Sequence, residues 1–168
     1  MCSRPIRLMK QFFHRQQPKQ ALKLTCKAGI GGVLSVAILS GLSTLTGNAF
    51  LMAPFGATCV LLFSLPNSPL SQPINVIAGH CISTAIGLIL CQFLPLAWWS
   101  LGLAVGLAIF MMALLRVTHP PAGADPLVVF FGGLGWEYLL FPVLLGSVLL
   151  TLMAAVFHKI PPSAKYPT

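Results

Sequence analysis

Apolar residues dominate this chain in six runs separated by short proline-rich or polar punctuation. The first, about Ala28–Thr46, would be roughly 28 Å long as a helix, which matches a bilayer's hydrocarbon thickness. The second, about Phe50–Leu65, is interrupted by Pro54 and followed by a turn-rich stretch, 66–73, holding three prolines. The third spans about Ile74–Leu94. Trp98-Trp99 read as an interfacial anchor for the fourth, about Ala97–Leu115. The fifth, about Pro121–Leu134, is short and opens on Pro120-Pro121, and the sixth runs about Tyr138–Phe157. The pattern predicts an all-α membrane protein, a polytopic helical bundle.

Composition agrees: 57% of the 168 residues are hydrophobic and 7% charged, and Asp125 and Glu137 are the two acids. Soluble domains carry about a quarter charged residues. Between Lys27 and Arg116 stand 88 residues without a Lys, Arg, Asp or Glu. No water-exposed surface can be built from that run. The same hydrophobicity excludes disorder, and nucleic-acid binding is not expected despite a net charge of +8.

Seven of the ten cations (Arg4, Arg7, Lys10, Arg15, Lys19, Lys23, Lys27) lie in the first 27 residues. This basic segment, 1–27, fits the cytoplasmic flank of a first span and is compatible with anionic lipid. An organelle transit peptide is the alternative, against which stand its shortness and single Ser. The membrane domain is expected over 28–158 and a short tail over 159–168. Six crossings would put both termini, with Arg116, Lys159 and Lys165, on the cytoplasmic side; re-entrant short segments would move Arg116 to the other face. Cys2, Cys26, Cys59, Cys81 and Cys91 have no ligand-like spacing, so neither disulfides nor a metal site is expected.

Shifting the chain by 67 residues lays Pro54-Phe-Gly-Ala-Thr-Cys-Val-Leu-Leu-Phe63 over Pro121-Ala-Gly-Ala-Asp-Pro-Leu-Val-Val-Phe130, sharing P-x-G-A and a terminal Phe. At the same offset Val76 meets Val143, Gly79 meets Gly146, and Thr84 meets Thr151. Two halves of three segments, about 28–94 and 95–158, would be inverted repeats, because an odd count reverses the second half. Interrupted segments at corresponding positions point to a permeation or binding site near the midplane.

Proline suits the first position of a helix, so Pro54 and Pro121 are expected to start half-helices inside the bilayer. The N–H groups of Phe55, Gly56 and Ala57, and of Ala122, Gly123 and Ala124, would then be free to hold an anion at the positive dipole end. His119, beside Thr118 at the second start, and His80, one turn from Thr84, are intramembrane ionisable residues and so functional candidates. Both could equally be structural, hydrogen-bonding between helices. Asp125 favours the positive end of its half-helix yet would compete with an anion: it points away as a cap, is protonated, or the site is not anionic. Gln72 and Asn75 suit loop and cap chemistry, while Glu137 and His158 suit an interface.

The run Thr118-His-Pro-Pro-Ala-Gly-Ala124 resembles the signature of the HPP family of integral membrane proteins. The block from Ala53-Pro-Phe-Gly-Ala57 through Leu70-Ser-Gln-Pro-Ile-Asn-Val76 to Gly79-His80 is similar to that family's pattern too. Some cyanobacterial and plastid members are nitrite transporters, so the resemblance implies a small polytopic protein with nitrite as substrate. The family is often described with four helices, which agrees with six segments only if the two short ones were overlooked or re-enter.

The expected function is a transporter or channel for a small monovalent anion, nitrite first. The anion would be bound at the starts near Pro54 and Pro121, with His80, His119 and Asp125 as proton-coupling candidates. The expected setting is a bacterial plasma membrane; a homo-oligomer is compatible, and no cofactor is expected. An enzyme is not the expectation. The alternatives are an intramembrane enzyme using His80, His119 and Asp125, and a structural subunit of a larger membrane complex.

Overall fold

The computed structural model describes residues 13–168, so Cys2, Arg4, Arg7 and Lys10 lie outside the described residues. Among those residues the chain is all-helical, with six α-helices and no strand: α1 Leu22–Thr46, α2 Pro54–Ser64, α3 Pro73–Phe93, α4 Trp98–Leu114, α5 Asp125–Gly132 and α6 Leu145–Phe157. Short 3-10 turns, Pro69–Ser71 and Pro120–Ala124, precede α3 and α5, and a π-helical turn, Leu139–Leu144, leads into α6. Three stretches are long and apolar enough to cross a membrane, namely Leu22–Thr46, Pro73–Phe93 and Leu139–Phe157.

The helix starts follow local chemistry. Pro54 and Pro73 each open a helix, where a missing N–H costs nothing. α1 ends where Gly47 takes φ 72°, a left-handed conformation open to glycine. α1 begins six residues before the expected Ala28, so Lys23 and Lys27 are helical. A lysine is tolerated there because its long stem carries the ammonium to a polar partner. Lys27 donates to the carbonyls of Ile160 and Pro162 at 2.5 and 2.7 Å. The last apolar segment is bent rather than continuous: Phe141 leaves helical geometry just before Pro142.

Contacts between distant residues set the directions. Gln20 Nε2 donates to Ser64 O, Asn75 Nδ2 to Thr118 O, and the Thr168 N–H to Gln72 Oε1. With the Lys27 bonds, these place the starts of α1 and α3 at the same end of the bundle as the ends of α2, α4 and α6. Phe50, beyond the far end of α1, meets Phe141 edge-on at 5.2 Å. Phe55, Leu62, Val76, Leu88, Met112, Val129, Val143 and Leu150 fill the interior, each at most 1% exposed. Val33, Leu45, Phe93, Trp98 and Val156 face outward, an apolar girdle suited to lipid.

Two glycines permit close packing between distant segments, and their contacts are reciprocal. A Cβ on Gly79 would lie 3.2 Å from the Val117 carbonyl oxygen and 2.8 Å from His119 Cβ. A Cβ on Gly146 would lie 2.7 Å from the Phe50 carbonyl oxygen. Residues 79 and 146 are 67 apart, and so are the residues whose carbonyls they meet, 50 and 117.

Candidate functional site: a buried histidine network

His80 faces inward from α3 beside Gly79, whose missing side chain lets the His119 Cβ and the Val117 carbonyl approach. Its Nδ1 lies 2.7 Å from Asp125 Oδ2 and its Nε2 lies 2.9 Å from Thr58 Oγ1. The same hydroxyl lies 3.0 Å from His119 Nε2, and His119 Nδ1 donates to the Leu70 carbonyl at 2.8 Å. Thr84 donates to Asp125 Oδ2 at 3.3 Å. The line Asp125–His80–Thr58–His119–Leu70 thus joins α5, α3, α2, the segment before α5 and the loop before α3.

Every side chain in it from Asp125 to His119 has zero exposure. The two imidazoles meet edge-on at 4.9 Å, and Phe55 closes over His80 at 5.2 Å. Ser83 donates to Ala122 O at 2.6 Å, fixing the 3-10 turn against α3. Asp125 Oδ1 is buried without a hydrogen-bond partner among the described residues.

The structure brings Phe55, His80, His119 and Asp125 together, but it corrects the helix-start chemistry. Pro121 does not begin an α-helix. It lies in the 3-10 turn, and α5 opens at Asp125. The Phe55 N–H donates to Met52 O and the Gly56 N–H to Ala53 O, while the Ala122 N–H donates to His119 O. Those donors, expected to be free, are spent on turns that tighten each start. Gly56, Ala57 and Ala124 are exposed, Gly123 is half-buried, and Pro54, Pro121 and Ala122 are packed inside. Thr118 contributes its carbonyl, to Asn75.

His158, expected at an interface, is buried, and its Nε2 donates to Leu62 O at 2.9 Å. Burial holds this imidazole below its ordinary range, with the Lys27 charge adding to the effect and the Leu62 bond opposing it. Gln72 ties its loop together by donating to the carbonyls of Pro66 and Ser68. Among the described residues no group of three or more His, Cys, Asp or Glu is arranged to hold a metal ion.

The family model for the HPP transmembrane region matches residues 17–167. The chain belongs to the HPP family. It is therefore an integral membrane protein. HPP relatives include two transmembrane proteins of Dictyostelium discoideum. One is 34% identical over 145 residues, covering 81% of this chain and 47% of the relative. The other is 30% identical over 152 residues, covering 85% and 53%. The chain spans about half the length of these curated relatives. No solved structure matches this HPP chain.

Thr58 went unnoticed in the sequence as a site residue, because a threonine in an apolar helix more often bonds its own backbone. One signal pointed to it: Thr58 aligns with Asp125 in the 67-residue repeat.

Proposed function

We propose that this HPP-family protein moves a small monovalent anion across the bilayer together with a proton, with nitrite the first substrate to test. One observation carries the proposal: two histidines and an aspartate, all at zero exposure, share a continuous hydrogen-bonded line inside the bundle. Ionisable groups are expensive in the membrane interior and mark solute paths and proton relays. The Phe55, Gly56 and Ala122 donors are occupied, so the anion's partner is a protonated imidazole of His80 or His119 rather than a backbone cradle. Protonation supplies the compensating charge, and deprotonation releases the anion. An anion entering against an inside-negative potential faces about 2.3 kcal/mol per 100 mV, which an accompanying proton cancels.

The reciprocal Gly79 and Gly146 contacts support a two-fold, inverted-repeat arrangement, the architecture in which one half rocks against the other about a central site. The basic residues near the start, with Lys159 and Lys165 at the same end, favour a cytoplasmic side for both termini. A bacterial plasma membrane is the proposed setting.

Purified protein in liposomes, loaded with a nitrite-sensitive reporter, tests this. Nitrite uptake should quicken at least tenfold when the outside is made acidic, and His119→Ala should abolish the acceleration while the protein still melts cooperatively. Absence of nitrite flux, or flux indifferent to His119→Ala, would contradict the proposal.

A further inference from the structure

The proton coupling proposed above leaves open how a proton passes between groups on different helices. We infer that Thr58 is the relay between the two histidines, and that the line from Asp125 to His119 shuttles one proton by reversing its hydrogen bonds in sequence. The inference rests on the proton-coupled reading and adds to it a residue and a direction.

Donor counting leads there. Leu70 offers only a carbonyl, so His119 Nδ1 carries a hydrogen in every state. Thr58 has a single hydroxyl hydrogen and lies between two ring nitrogens, at 2.9 and 3.0 Å. It can donate to one Nε2 only, and the other Nε2 must then donate to it. While both bonds hold, the two Nε2 atoms are therefore in opposite protonation states.

Three arrangements satisfy this rule with the same number of protons. In the first, Asp125 is protonated and donates to His80 Nδ1, His80 Nε2 donates to Thr58, and Thr58 donates to His119 Nε2. In the second, the carboxyl proton has moved to His80 Nδ1, leaving carboxylate and imidazolium. In the third, His80 Nε2 has passed its proton to Thr58 Oγ1 while Thr58 passed its own to His119 Nε2. The O–H bond of Asp125, the Nε2–H bond of His80 and the O–H bond of Thr58 are broken. One N–H forms on each of His80 Nδ1 and His119 Nε2, and one O–H re-forms on Thr58. The net result is one proton carried from Asp125 to His119, with total charge unchanged. Asp125 Oδ1, buried and unpartnered among the described residues, is the oxygen left free to accept the next proton. Thr58 has one competing acceptor, the Pro54 carbonyl at 3.3 Å, and donation there breaks the line.

Two measurements decide the matter. Nitrogen-15 NMR of histidine-labelled protein in lipid nanodiscs should show one protonated and one bare Nε2 between His80 and His119, assigned with His80→Gln and His119→Gln. Both Nε2 atoms protonated, with Thr58 donating to Pro54, or both bare, overturns the relay whether or not nitrite is the substrate. In liposomes, Thr58→Val should lower proton-driven nitrite uptake at least tenfold, and Thr58→Ser, which keeps the hydroxyl, should restore it to within about twofold of wild type. Undiminished coupling in a Thr58→Val protein that melts like wild type overturns the relay. Wild-type protein with no nitrite flux counts against the substrate assignment alone, since the NMR result still decides the relay.

Discussion

Thr58 and Asp125 hold opposite nitrogens of one imidazole, that of His80, at 2.9 and 2.7 Å. They occupy the same place in the P-x-G-A repeat, 67 residues apart. Two positions that match in the 67-residue offset thus converge on one ring, and they differ in chemistry. One supplies a hydroxyl, the other a carboxyl.

Asp125→Asn keeps the size of the side chain and its ability to bond His80 but removes the exchangeable acid proton. The protein should fold, losing about 1–3 kcal/mol for a disturbed buried polar contact. Proton-driven uptake should fall at least tenfold. Detergent melting curves and liposome flux on the same preparation check both halves of the prediction. Retained coupling would remove Asp125 from the proton path.

Gly79→Ala and Gly146→Ala should destabilise the bundle by similar amounts, about 1–3 kcal/mol each, because each new methyl group meets backbone or Cβ atoms that cannot swing away. Gly102→Ala and Gly106→Ala in α4 are the controls. Nothing lies within 4 Å of either added Cβ, so a helix-propensity gain of up to about 1 kcal/mol is expected. Thermal unfolding of the four variants decides it, and a marked difference between the first two would argue against their equivalence.

His158 predicts a pH dependence. Burial lowers its folded-state value below the ordinary 6.5, so the unfolded chain binds the proton more readily. The stabilisation is complete above about pH 6.5 and is lost as the pH falls below that. His158→Gln should flatten this part of the profile relative to wild type, read as the difference between melting temperatures at pH 7.5 and pH 5.5. Equal slopes in the two proteins would contradict the assignment.

The tail after α6 folds back onto the loop before α3. Tyr166 is buried and donates to the Ser71 carbonyl at 3.1 Å, and that burial pushes its hydroxyl above the usual phenol range. Ser71 adjoins Leu70, the acceptor for His119. Tyr166→Phe should cost about 0.5–1.5 kcal/mol, the worth of one hydrogen bond. It should also speed amide exchange in the loop 66–72, detectable by deuterium uptake.

Much of this was legible in the sequence wherever polarity contrasts with an apolar background. His80, His119 and Asp125 stand out in such runs, and the P-x-G-A repeat located both interrupted segments. The start of α1 was hidden because a hydropathy window stops at Lys27, whereas the folded helix carries that ammonium to the carbonyls of Ile160 and Pro162. Pro121 misled because proline favours a 3-10 turn as readily as the first turn of an α-helix. The actual α5 start, Asp125-Pro126, lies one turn later and also has a proline near the N-terminus. Three of the six expected free donors, those of Phe55, Gly56 and Ala122, were a further casualty, since short turns to Met52, Ala53 and His119 consume them, and turn geometry leaves little trace in composition. Which polar groups touch is a tertiary fact: Thr58 and His119 are 61 residues apart.

The most direct test of the account follows nitrite and protons together in the same liposomes, with an external pH electrode and a nitrite assay during uptake from an acidic medium. Wild-type protein should carry one proton with each nitrite and build no membrane potential, and His80→Gln should lose both fluxes in step. Nitrite movement that generates a potential with no matching proton uptake would contradict the central claim.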